Sequence, residues 1–125
     1  MSKRILVIDD ELDIRDVVCL SLEEFGGWQT GSAGSGREGI QAALAAPWDG
    51  ILLDVSMPDM DGFEVVAQLR SQPKTQAVPV ILLTAKVMSS DRDHPTALGI
   101  AGIIAKPFDP VTVWQEVAQI LGWAI

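Results

Sequence analysis

The chain has 125 residues, 17 acidic against 9 basic, and a formal net charge of −8. That size suits a single domain, and a hydrophobic share of 48% is enough for a proper core, which argues against disorder. The acidic balance argues against direct nucleic-acid binding and against attraction to an anionic membrane surface.

The first apolar run, Ile5–Ile8, reads as a buried strand that ends in Asp9-Asp10-Glu11. The run is too short for a signal-peptide core, although Lys3-Arg4 precede it. A helical stripe follows: Ile14, Val17, Val18, Ser21, Leu22 and Phe25, closed by Gly26-Gly27. Asp13, Arg15 and Asp16 read as its solvated face. Cys19, the one cysteine, reads as a small packing residue.

A weaker strand over Trp28–Ala33 leads into Gly31–Gly36, which reads as the turn before a second helix, with Ser35 as a candidate cap. The glycines there lack the Lys-Ser/Thr ending of a phosphate loop. Ile40, Ala43 and Leu44 stripe the second helix, and Pro47 stops it. Gly50–Leu53 is a third strand, running into Asp54. Phe63, Val66 and Leu69 mark a third helix. Pro79–Leu83 is a fourth strand, ending at Thr84-Ala85.

The next segment, Lys86–Gly99, holds Ser89-Ser90, Asp91, Asp93 and His94-Pro95. An internal proline costs a helix about 3 kcal/mol, so a short helix is expected only from near His94 or Pro95. Gly102–Ala105 is a fifth strand, ending at Lys106-Pro107-Phe108. Val113, Val117, Ile120 and Leu121 stripe a last helix. Trp114 sits beside that stripe, reading as core-flanking; exposed, it would make an apolar patch beside Ile103. Trp28 and Trp48 read as packed at element edges, and Trp123 as either a tether or a fraying point of the carboxyl terminus. No run approaches the roughly 18 apolar residues of a membrane span.

Five strands alternating with helices make a three-layer α/β fold, (βα)5, with right-handed crossovers and helices on both faces. Ligands in such sheets bind at the carboxyl ends of the strands. Those ends carry Asp9, Asp10, Asp54, Thr84 and Lys106. Like charges at ~4 Å repel by about 4 kcal/mol at an effective dielectric of 20, so the carboxylates need counter-charge. Lys106 supplies part of it. An all-oxygen ligand set with room for water suits Mg²⁺ as the rest. A single histidine, His94, excludes a His-cluster metal site. Covalent phosphate chemistry on an aspartate fits these parts, since phosphoryl transfer needs positioning and positive charge.

Taken together, Ile5-Leu6-Val7-Ile8-Asp9-Asp10-Glu11, Asp54 with Met57-Pro58-Asp59-Met60-Asp61-Gly62, Thr84-Ala85 and Lys106-Pro107-Phe108 resemble the receiver domain of bacterial two-component response regulators. The resemblance covers residues 3 to about 121 and is similar throughout to a stand-alone, chemotaxis-type receiver. It implies a flavodoxin-like fold with strand order 2-1-3-4-5, one domain over 1–125 and no output domain. It implies a cytoplasmic phosphorylation switch that accepts a phosphoryl group from a sensor histidine kinase or phosphotransfer protein. The phosphoacceptor would be Asp54. Asp10, Asp54 and the backbone carbonyl of Ser56 would hold Mg²⁺, with Asp9 acting mainly through a bound water. Thr84 and Lys106 would hold phosphoryl oxygens, and the bond from Lys106 to Pro107 is often cis in this family.

The resemblance further implies signalling through the face of the fourth helix, fifth strand and fifth helix, by a monomer or weak homodimer. It implies self-catalysed phosphorylation and dephosphorylation within what is mainly a switch. Two departures fall on that face: Ile103 stands where the family carries an aromatic residue, and Pro95 interrupts the fourth helix. They lead us to expect a partner mode distinct from the common one. Lys86 either hinders the water that attacks the aspartyl-phosphate or is a solvated lysine. The alternative reading is a receiver-like interaction module that is not phosphorylated. A flavodoxin-type redox protein lacks its phosphate loop here, and a larger aspartate-nucleophile phosphatase would need a longer chain.

Overall fold

The computed structural model describes residues 3–55, 57–84 and 100–123. Ser56, Lys86 and the expected helix around His94 and Pro95 lie outside the described residues. Five parallel strands are present: β1 (Arg4–Ile8), β2 (Gln29–Ala33), β3 (Gly50–Asp54), β4 (Val80–Thr84) and β5 (Gly102–Ala105). They form one sheet in the order β2-β1-β3-β4-β5. Helices α1 (Leu12–Glu24), α2 (Gly36–Ala45) and α3 (Gly62–Arg70) and the carboxyl-terminal helix (Val113–Leu121) are described. The expected α/β architecture and strand order are both present.

β3 and β4 are buried along their whole lengths, as strands covered on both faces must be. Alternate residues feed two separate cores. Leu6, Ile8, Leu53 and Leu82 pack with Ala43 of α2 and Val66 and Leu69 of α3. Ile5, Val7, Leu52 and Leu83 pack with Val18 and Leu22 of α1 and Val117 of the carboxyl-terminal helix. β2 is the polar edge strand, with Ala33 its one fully buried residue.

Local chemistry sets the helix ends. Ser35 caps α2 by accepting from the Glu38 N–H, and Asp61 caps α3 by accepting from the Glu64 N–H. Gly27 and Gly122 take left-handed backbone (φ 71° and 73°) where α1 and the last helix end, a conformation glycine adopts without steric cost. Gly102 of β5 faces the last helix so closely that a Cβ there would meet Ile120 Cγ2 at 2.7 Å.

Three local expectations change. Gly31–Ala33 belong to β2, so the turn before α2 is only Gly34-Ser35. Val17 and Phe25 are exposed (40% and 51%), because α1 meets the sheet through Val18, Ser21 and Leu22. Trp114 flanks the core as expected, packing beneath α1, while Ile103 packs on the core beneath α2 and α3, across the sheet, so the two share no patch. Arg15 is not a merely solvated charge, as its contacts show below. Trp28 and Trp123 do tether the terminus: their rings meet edge-on with centroids 5.0 Å apart, and Lys3 Nζ lies 5.1 Å from the Trp123 ring.

Candidate functional site

β1, β3, β4 and β5 deliver Asp9, Asp54, Thr84 and Lys106 to one edge of the sheet. Asp9 follows β1 directly and is fully buried; Asp54 and Thr84 end their strands and are nearly so (4% and 8% exposed). Asp10 is exposed beside them. One carboxylate oxygen from each of Asp9, Asp10 and Asp54 lies within 4.8 Å of the others. Lys106 Nζ donates to Asp9 Oδ2 and Asp54 Oδ1, both at 3.2 Å, and approaches Glu11 Oε1 on the open rim at 3.8 Å. The Lys106–Pro107 peptide is cis, and the Lys106 N–H donates to the Thr84 carbonyl at 2.8 Å.

The electrostatics follow from burial. Loss of water, then the charge of Asp9, push the Asp54 carboxyl up to about 6 from 3.8, against the pull of Lys106. Burial draws the Lys106 ammonium down, but Asp54 and Asp9 outweigh it and hold the group above its ordinary value. Three hard oxygen donors around one ammonium therefore leave negative charge that a small divalent cation fits.

The loop after Asp54 is anchored at both ends. The Gly62 N–H donates to the Val55 carbonyl at 2.8 Å, and a Cβ at Gly62 would meet Val55 Cα at 2.9 Å and the Asp54 carbonyl at 3.0 Å. Only glycine lets the start of α3 sit that close to backbone that cannot yield. Asp59 reaches across to α2, accepting from the Gly36 N–H (3.0 Å) and the Arg37 N–H (3.1 Å). Those donors hold its carboxyl below the ordinary value, as a helix amino terminus favours an anion.

Sequence reasoning missed Asp59's reach and Arg15's. Arg15 Nη1 donates to the Asp9 carbonyl at 3.0 Å. The one available signal was a cation near the start of a helix, against the preference of the helix dipole, six residues after Asp9.

An acidic, lysine-braced pocket at the carboxyl edge of a parallel sheet in this order defines a receiver-type α/β domain. The family model for the response regulator receiver domain matches residues 5–118, and the chain belongs to that family. It is 37% identical over 122 residues to the phosphate regulon transcriptional regulatory protein PhoB of Escherichia coli, covering 97% of this chain and 52% of that protein. It is 35% identical over 115 residues to an uncharacterized 14.6 kDa protein of Leptolyngbya boryana, covering 92% of this chain and 87% of that protein. The structure of the chemotaxis response regulator CheY4 of Vibrio cholerae superposes with a TM-score of 0.88 at 32% identity, covering 96% of this chain and 99% of that one. The chain thus spans about half of PhoB and most of the other two. Membership brings a phosphorylation-dependent signalling role, and receiver domains in general bind Mg²⁺ at an acidic pocket such as the one here.

Proposed function

We propose that this chain is a signalling switch that takes a phosphoryl group onto Asp54 from a histidine of a sensor kinase or phosphotransfer protein. The observation that carries the reading is Lys106 Nζ seated 3.2 Å from both Asp9 and Asp54, inside a cluster of three carboxylates. At neutral pH an Asp54 carboxyl titrating at about 6 is mostly ionised and so a competent nucleophile. One of its oxygens forms the new O–P bond as the donor's N–P bond breaks, and the donor imidazole keeps the electron pair. Lys106 and Thr84 would hold phosphoryl oxygens as charge spreads over them.

Asp9, Asp10, Asp54 and the Ser56 carbonyl would hold Mg²⁺, which offsets the carboxylate charge and polarises the phosphoryl oxygens. Beside Lys106 an apolar cleft runs between Ile14 and Val17 of α1 and Phe108 and Pro110. Exposed apolar surface of this kind supports contact with a protein donor. Output would pass through the β5 and carboxyl-terminal helix side together with the segment before β5. There Ile103, packed on the core beneath α2 and α3, replaces the ring the family carries. Among the described residues no helix is long and apolar enough to cross a membrane.

The test is intact-mass measurement after incubation with Mg²⁺ and acetyl phosphate. One added phosphoryl group, absent in Asp54→Ala, supports the reading. No addition from any donor, a purified histidine kinase included, favours the interaction module instead.

A further inference from the structure

Asp9 is held at every polar group it has. Its N–H donates to the Ala33 carbonyl (3.1 Å), its Oδ1 accepts from the Glu11 N–H (2.9 Å), its Oδ2 accepts from Lys106, and its carbonyl accepts from Arg15 Nη1 (3.0 Å). Three of these ties come from the strand pair, the local turn and the site lysine. The fourth comes from a side chain on α1, and it grips the peptide that joins Asp9 to Asp10. Asp10 is exposed and its carboxyl meets that of Asp54, so where it stands depends on that contact and on the backbone that carries it.

The same guanidinium fills the space above the turn before α2. A Cβ on Gly34 would meet Arg15 Nη1 at 2.6 Å, while the Gly34 N–H donates to Glu38 Oε2 at 3.1 Å. The turn is therefore open at Gly34 where Arg15 passes to reach Asp9.

We propose that Arg15 is a positioning residue for the acidic pocket: by holding the Asp9–Asp10 peptide it aims the Asp10 carboxylate at a bound divalent cation. The proposal rests on reading that pocket as a cation site. Charge alone predicts the opposite. A guanidinium near three carboxylates competes with a metal ion, so removing it should tighten metal binding if charge were its whole effect. Positioning predicts weaker binding, because partners that orient metal ligands typically govern affinity by about 10- to 100-fold. The sign separates the two.

The experiment is calorimetric titration of the full chain with Mg²⁺, with thermal unfolding in chelator as a second readout. Arg15→Ala is expected to bind Mg²⁺ about tenfold more weakly, and Arg15→Lys, which keeps the charge and a donor, to recover part of the loss. Gly34→Ala keeps the arginine but crowds its Nη1 off the carbonyl, at a position with no positive φ to strain an alanine. It should weaken Mg²⁺ binding in the same way, and adding it to Arg15→Ala should cost no further affinity. Should Arg15→Ala fail to fold, Gly34→Ala carries the test. Binding as tight as the parent's in Arg15→Ala or Gly34→Ala, an additive loss in the double variant, or a loss that only tracks the metal-free melting temperature would overturn the role of Arg15. Absence of Mg²⁺ binding in the unsubstituted chain would instead overturn the site reading itself, and the Arg15 role with it.

Discussion

Lys106 and Asp54 are 52 positions apart in the chain and 3.2 Å apart in space, at the ends of two strands separated by β4. The ion pair is the junction of the site: it brings the ends of β3 and β5 together over β4, and Asp9 completes it from β1. What each partner does to the other's proton follows from this geometry and can be measured.

Asp54 gives the clearest dependence on pH. Its folded-state pKa of about 6 lies above its ordinary 3.8, chiefly through burial and then through Asp9. The folded chain therefore holds a proton that the unfolded chain has lost between those values. Stability contributed by that proton is present below about 4, falls as pH rises to about 6, and is flat beyond. The change is at most about 3 kcal/mol. Urea unfolding in chelator from pH 4 to pH 8 should show that fall in the parent and a much flatter profile in Asp54→Asn, with the variant the more stable at pH 7. Parallel profiles would refute the assignment.

Lys106→Met should be destabilising at pH 8, by about 3 kcal/mol, because it leaves two buried carboxylates facing each other without a cation. The loss should shrink as pH falls and Asp54 takes a proton. Asp54→Asn added to Lys106→Met should restore a large share of it, since one of the two opposing charges is gone. Equal losses in the single and double variants would show that the lysine stem, not its charge, carries the effect.

Gly39→Ala separates packing from propensity. Within a helix alanine normally gains about 1 kcal/mol over glycine. At Gly39 the added Cβ would meet Ile8 at 2.5, 2.8 and 2.9 Å, where α2 crosses β1. Crowding a packed core typically costs about 1–3 kcal/mol. The expected result is a lower urea midpoint in Gly39→Ala, partly recovered by Ile8→Val; a raised midpoint would mean that β1 yields to α2 easily.

The strands were legible because Ile5–Ile8, Gly50–Leu53 and Pro79–Leu83 are continuous apolar runs, which is how a doubly covered parallel strand reads. Asp9, Asp10, Asp54, Thr84 and Lys106 were legible as a group because each follows such a run, and topology brings run ends together. Single side chains were not. Val17 and Val18 look alike in the sequence, yet one is exposed and the other fully buried, since the angle at which α1 lies on the sheet decides it. Ile103 and Trp114 are eleven positions apart on consecutive elements, but the alternation of β5 sends Ile103 to the far face. Arg15 among Asp13 and Asp16 reads as one more surface charge; its reach to the Asp9 carbonyl depends on how the turn between β1 and α1 folds back.

The close seat of Ile120 over Gly102 has a consequence four residues away. A one-residue slip of β5 would bring the side chain of Ile103 into the space that only a hydrogen atom now fills, and would exchange the faces to which Ile103 and Ile104 point. The glycine thus acts as the zero mark of a ruler. Measured from it along a strand that rises about 3.3 Å per residue, the lysine falls level with the carboxylates it must reach, and the last helix fixes where that ruler begins.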